Sequence, residues 1–149
     1  MNLVEQLPPG LTGLEQLHKL IEMGGRPPIG ETLEFSLVEV GDGFAAFEGV
    51  PSLRAYNPIG TVHGGYAATL LDSACGCAAH SRLSAKQGYT TLELKVAYHK
   101  AITQETGKLR AEGRVLSIGR RAAFVEATLK DDDGKLYASA TSTLLVIDK

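Results

Sequence analysis

The sequence predicts an α+β domain: a curled antiparallel sheet wrapped around one buried central helix, with a short helix near the N-terminus. Three observations carry this reading. The 18 residues from Gly64 to Ser81 hold one charge, Asp72, and ten residues of the apolar set, which is the signature of a helix buried nearly all round. Past residue 90 the hydrophobic pattern changes to period two, the mark of strands. Gly41-Asp42-Gly43 and Asp132-Asp133-Gly134 each separate two strand-like runs, as hairpin turns do.

The elements follow in order. Thr12 to Met23 reads as an amphipathic helix: Thr12 and Glu15 have capping-box spacing, Leu14, Leu17 and Ile21 share a face, and Glu15 and Lys19 are spaced as an i,i+4 pair. Gly24-Gly25 stops it and Pro27-Pro28 extends the chain. Strands are expected over Thr32 to Val40 and Phe44 to Val50, followed by a loop from Pro51 to Val62 containing Asn57-Pro58 and Gly60. After the central helix, Leu92, Leu94, Val96 and Tyr98 alternate with Thr91, Glu93, Lys95 and Ala97. This puts Thr91 on the face away from Leu92 and Leu94. Further strands are expected at Lys108 to Ile118, Arg121 to Lys130 and Leu136 to Ile147. A sheet covers such a helix on one side only, so the remaining surface and the sheet edges invite a homodimer, paired again into a homotetramer.

Bulk properties exclude several function classes. The chain has 149 residues, which fit one domain and can bury a core without disulfides or metal. Its formal charge is −2 and it has no tryptophan, so neither a whole-protein basic field nor a base-stacking platform for nucleic acid is present. No apolar run reaches the roughly 18 residues of a membrane helix. The start, Met1 to Gln6, lacks the basic region and apolar run of a signal peptide, and the expected place is the cytoplasm. Cys75 and Cys77 point roughly 200° apart on a helix, which suits neither a disulfide nor a chelate; they read as small buried residues.

Four features could carry chemistry. Asp72 lies on a helical stripe with Ala68, Cys75 and Ala79. It is either a desolvated carboxylate poised as a base, or one that is paired or solvated at an edge. His63-Gly64-Gly65 opens the helix, whose first amides lack internal partners and sit at the positive end of the dipole. It offers donors to an oxyanion, or is an ordinary glycine-rich helix start. Asn57 is an amide donor or a turn former. From Lys95 to Arg121 stand seven basic residues against Glu105 and Glu112, a local +5. That segment is a solvated face, or a site for a polyanionic small molecule that arginine can grip.

Taken together, Asn57-Pro58-Ile59-Gly60-Thr61-Val62-His63-Gly64-Gly65, continuing through Leu70-Leu71-Asp72, resembles the hotdog-fold acyl-CoA thioesterases. It is most similar to the PaaI-like branch, which includes phenylacetyl-CoA thioesterases and the Arthrobacter-type 4-hydroxybenzoyl-CoA thioesterase. The likeness runs from about residue 30 to the end and takes in Tyr98-His99-Lys100, Gly119-Arg120-Arg121 and Asp133-Gly134-Lys135. The resemblance implies a hotdog fold and hydrolysis of a CoA thioester to acid and CoA. It implies that Asn57 and the Gly64 N–H polarise the thioester carbonyl. His63 would position substrate or support the leaving thiolate. Asp72 of the partner subunit would act as base or nucleophile. Thr91 falls where some relatives carry a serine that helps hold the water. Lys100, Arg120 and Arg121 fall in regions that contact CoA phosphates in relatives; Gly65 and His99 complete the substrate-binding set. No metal or separate cofactor is implied, since CoA is part of the substrate. Two other readings stand beside it: a hotdog dehydratase or hydratase acting on acyl thioesters, and a non-catalytic acyl-CoA binding module.

Overall fold

The computed structural model describes residues 2–149; Met1 lies outside them. Helix α1 (Gly13–Glu22) starts at a complete capping box, with Glu15 accepting from the Thr12 N–H at 2.7 Å. That use of Glu15 corrects the expected ion pair: Lys19 turns instead to Glu22, at 2.8 Å. A second correction follows. Pro27-Pro28 opens a short helix, α2 (Pro28–Leu33), because proline pre-sets the φ of a first helical turn. The first strand therefore begins at Phe35 rather than Thr32.

Strands β1 (Phe35–Gly41) and β2 (Phe44–Gly49) form the expected hairpin about Asp42 and Gly43. Helix α3 (Gly64–His80) follows, then β3 (Gln87–Tyr98), β4 (Leu109–Ile118), β5 (Ala122–Asp131) and β6 (Leu136–Asp148). All pairings are antiparallel and the sheet order is β1-β2-β4-β5-β6-β3. The chain thus leaves the sheet after β2, runs through α3, and rejoins it at the far edge as β3. This is the hotdog architecture: a curled six-stranded sheet around a long central helix.

The helix and sheet meet through small residues. Ala67, Ala74, Ala78 and Ala79 of α3 are buried against Ala111, Ala123, Ala127 and Ala138 of the sheet, with Leu70, Leu71, Leu109, Leu129 and Leu144 filling between. The approach is closest at Gly113, where an added Cβ would overlap the Ala74 carbonyl. The far end of α3 is tied down by polar bonds. The Gly43 N–H donates to the Ser81 hydroxyl (2.8 Å), and Arg82 pairs with Asp42 (2.8 Å). His80, read from sequence as incidental, packs Nε2 against the Gln16 side-chain oxygen of α1 (2.8 Å), and burial pushes its pKa down to about 4.

One strand breaks the period-two reading. A β-bulge lies between Thr91 and Glu93, so Leu92 is an extra residue and the side-chain phase shifts by one. Thr91 therefore shares the helix-facing side with Leu94 and Val96, while Leu92 is exposed. The expectation that Thr91 faces away from Leu94 is corrected. No helix among the described residues is long and apolar enough to cross a membrane.

Replacing Gly113 by Ala is expected to lower stability by about 2–3 kcal/mol, because the new methyl must displace the α3 backbone. Urea denaturation followed by far-UV circular dichroism checks this; an unchanged midpoint contradicts the close approach.

Candidate active site

The first turn of α3 is held by several polar bonds. Its cap, His63, is held from two sides: its N–H donates to the Ala55 carbonyl (2.7 Å), and next to it the Val62 N–H donates to the Ile102 carbonyl (2.9 Å). An isolated bridge between Tyr56 and Val62 closes the preceding loop. The cap itself is an imidazole. His63 Nδ1 accepts from the Gly65 N–H at 2.8 Å, which takes one of the four orphan donors of the helix start. Nδ1 therefore carries its lone pair toward the backbone, and in the neutral ring the proton sits on Nε2. The Gly64 N–H, next in line, has no acceptor among the described residues. It is an uncommitted donor at the positive end of a 17-residue helix.

Asn57 serves its own loop. Its Oδ1 accepts from the N–H groups of Ile59 (3.0 Å) and Thr61 (3.2 Å), and its Nδ2 donates to the Thr61 hydroxyl (2.8 Å). The residue forms a turn, one Nδ2 hydrogen has no acceptor among the described residues, and Asn57 and Gly64 line the same cleft. Asn57, Thr61, His63, Gly64, Gly65, Tyr98, His99, Lys100 and Ile102 line one open cleft of about 490 Å³. Across it, His99 Nε2 meets the Ser139 hydroxyl (2.8 Å), and the Lys100 ammonium lies 5.5 Å from the centre of the Tyr137 ring.

Asp72 stands apart from this cleft. It is half-buried on the α3 face that the sheet leaves uncovered, with Ala68, Thr69 and Ser73. Eight residues separate it from Gly64, so the two lie roughly 12 Å apart along the helix axis. The partner left unnamed by the sequence is Thr91, whose hydroxyl donates to Asp72 Oδ1 at 3.1 Å. The bulge makes this contact, because without it Thr91 would face outward. Beneath Asp72, burial and then that carboxylate's charge push the Cys75 thiol up to about 12, so it stays protonated and is no nucleophile.

The basic segment divides. Arg110 pairs with Glu112 (2.8 Å), Glu48 (3.2 Å) and Glu39; Lys108 pairs with Glu48 (3.6 Å) and Asp132 (3.5 Å); Arg114 pairs with Glu112 (3.5 Å). Acids of β1 and β2, remote in sequence, thus pair with Lys108 and Arg110, while Arg114 pairs with Glu112 of its own strand. Lys95, Lys100, Arg120 and Arg121 have no acidic partner among the described residues. Lys100 lines the cleft. Arg120 and Arg121 are exposed in the β4–β5 turn, beyond Gly113 toward the C-terminal end of α3, and so far from the cleft of their own chain.

Two contributors escaped the sequence reading. Thr61 orients the Asn57 amide. Tyr98 donates its hydroxyl to the Gly64 carbonyl at 2.8 Å. Period-two patterning placed Tyr98 on a strand, but nothing in the pattern shows which helix turn the strand end meets.

Comparisons with known proteins show the family. Residues 59–138, which span the cap, α3 and most of the sheet, match the family model described as the thioesterase superfamily. A conserved protein from Pseudomonas aeruginosa, PA5202, is 31% identical, covers 82% of this chain and 95% of its own, and superposes with a TM-score of 0.76. The smu.793 protein of Streptococcus mutans, solved bound to acetyl-CoA, is 28% identical over 77% of this chain and 90% of its own, with a TM-score of 0.70. The proofreading thioesterase EntH of Klebsiella pneumoniae is 29% identical over 82 residues, covering 55% of this chain and 58% of that protein. A matched span reaching from the Asn57 turn region through the helix cap, Asp72 and Thr91 into β6 leaves one family assignment: the chain belongs to the thioesterase superfamily.

Proposed function

We propose that this protein is an acyl-CoA thioesterase of the PaaI-like branch, working in the cytoplasm as a homodimer that pairs again into a tetramer. The observation that carries the reading is the division of the chemistry along α3. An uncommitted amide stands at Gly64 and a threonine-anchored carboxylate at Asp72, about 12 Å away on the same helix. One thioester cannot touch both within a chain. Strand β3, a free edge with Leu92 and Tyr98 exposed, borders the uncovered helix face and is the natural seam for a second copy. A two-fold axis near Ala68, midway between the two groups, brings each Gly64 to Asp72 of the partner subunit and so completes two sites at once.

In such a site the thioester oxygen accepts from the Gly64 N–H and the free Asn57 Nδ2 hydrogen, which stabilise negative charge as it develops. Thr91 holds Oδ1 of Asp72 and leaves Oδ2 for the reaction. As a base, the carboxylate takes a proton from water while the water oxygen bonds to the carbonyl carbon. As a nucleophile, it bonds to that carbon itself and water later releases the acid. In both routes the carbon–sulfur bond breaks and the electron pair leaves with CoA thiolate. The His63 Nε2–H, fixed outward by the cap, is a donor for that sulfur or for the substrate. Lys100 at the cleft, with Arg120 and Arg121 brought from the partner subunit, would meet the CoA phosphates. This basic set supports acyl-CoA over uncharged thioesters.

Thiol release across a panel of aryl-acetyl, hydroxybenzoyl and medium-chain acyl-CoAs tests the reaction. Enoyl-CoA conversion without free CoA would mean a hydratase, and binding without turnover a binding module. Asp72→Asn is expected to lower kcat by roughly two to four orders of magnitude while the fold persists, the range for a lost acid–base group. Full activity in the folded variant contradicts the mechanism.

Converting Arg120 and Arg121 to Ala is expected to raise KM and flatten its salt dependence with kcat nearly intact, as measured by steady-state kinetics at several ionic strengths. An unchanged KM returns both residues to the solvent.

Sedimentation velocity is expected to show a dimer or tetramer at assay concentration. Leu92→Lys on the exposed side of the edge strand is expected to shift the protein toward monomer and abolish turnover together; an active monomer contradicts the two-chain site.

A further inference from the structure

We infer that Tyr98 is a positioning residue: its hydroxyl and the His63 imidazole clamp the Gly64–Gly65 peptide between them and thereby aim the Gly64 N–H into the cleft. This rests on the reading of that N–H as the carbonyl donor.

Two glycines at a helix start carry an entropic cost. Gly64 and Gly65 have the widest backbone freedom of any residues, and first-turn amides have no helical bonds to hold them. A donor that wanders stabilises no transition state. The structure removes the freedom with side chains. The carbonyl of the Gly64–Gly65 peptide accepts from the Tyr98 hydroxyl at 2.8 Å, and the N–H of the same peptide donates to His63 Nδ1 at 2.8 Å. A peptide unit is planar and rigid, so pinning both polar ends fixes its plane. On the other side, the His63 N–H is fixed to Ala55. The peptide carrying the Gly64 N–H is therefore bounded at both ends.

The glycines follow from the clamp. A Cβ on Gly64 would lie 3.0 Å from the Tyr98 ring, and one on Gly65 would lie 2.9 Å from His63 Nδ1. Packing alone does not call for a tyrosine. Tyr98 is 56% exposed, and a phenylalanine ring would fill the same space. Only the hydrogen bond needs the hydroxyl. Because the clamp acts on the aim of a donor toward a developing oxyanion, its loss should appear in kcat rather than in ground-state binding.

The test compares the intact protein with Tyr98→Phe in three measurements: steady-state kinetics on the best acyl-CoA of the panel, affinity for a non-hydrolysable acyl-thioether of CoA, and amide hydrogen exchange in protein labelled with 15N-glycine. The expected result is a fall in kcat of about 5- to 20-fold, with KM and thioether affinity within about twofold. The Gly65 amide should exchange roughly tenfold faster in the variant, with the melting temperature and the other glycine amides unchanged. Wild-type kcat in Tyr98→Phe overturns the inference. So does a joint loss of affinity and melting temperature, which would mark a structural role. If the unaltered protein releases no thiol from any acyl-CoA, the thioesterase reading fails on its own, and the exchange of Gly65 still decides whether the clamp exists. Should Tyr98→Phe not fold, Tyr98→Leu, which also lacks the hydroxyl, takes its place in the same three measurements with the same expected and overturning results.

Discussion

A single helix lying close against a sheet on one side, and bare on the other, is the constraint on which this structure depends. The close side demands small residues. Alanines face alanines, and Gly113 lets the α3 backbone approach the sheet more nearly than any side chain would allow. The bare side then cannot be apolar throughout without a partner, and there the chain places Thr69, Asp72 and Ser73. The boundary between the two sides is strand β3, whose inward residues touch the helix and whose outer edge has no neighbour in the sheet. The proposed site lies on this boundary, where a carboxylate and a helix-start amide can stay accessible.

The polar groups at the helix start show how a loop is made rigid enough for a site. Most N-caps are serine, threonine, aspartate or asparagine. Here a histidine does the capping, so one nitrogen is spent on structure and the other is left with its hydrogen directed outward. Asn57 divides its bonding in the same way, with its oxygen and one hydrogen given to the loop. Each side chain organises its surroundings with part of its bonding capacity and keeps the rest free. This is the form preorganisation takes in a region without regular structure.

Charge is arranged by the same logic of commitment. Arg110 of β4 faces Glu39 of β1 and Glu48 of β2 across the sheet and forms a partly shielded network with them and Glu112. The cations at the strand end and in the β4–β5 turn face none. Under the proposed two-chain site, these uncommitted cations at opposite ends of one helix would meet on a single polyanion. In an antiparallel pair of chains, opposite ends become neighbours.

Much of this was legible in the residues. The 18-residue stretch with one charge defined the central helix, because a segment apolar all round has to be buried whatever surrounds it. The hairpins at Asp42-Gly43 and Asp132-Asp133-Gly134 were legible because turn chemistry is local. The Asn57, His63, Gly64 and Asp72 set was legible as a motif, since its members lie within 16 residues of one another. Everything that depends on contacts between distant segments was settled only by the tertiary structure. The bulge at Leu92 comes from pairing with β6, and it reverses which face Thr91 presents, so the Thr91–Asp72 bond could not be read from alternation. The neutralisation of Arg110 by Glu39 and Glu48 depends on strand order, and the docking of Tyr98 on Gly64 depends on where β3 ends against α3. Sequence periodicity reports the phase of a segment relative to itself. Only packing sets that phase, and each polar partner, relative to the rest of the chain.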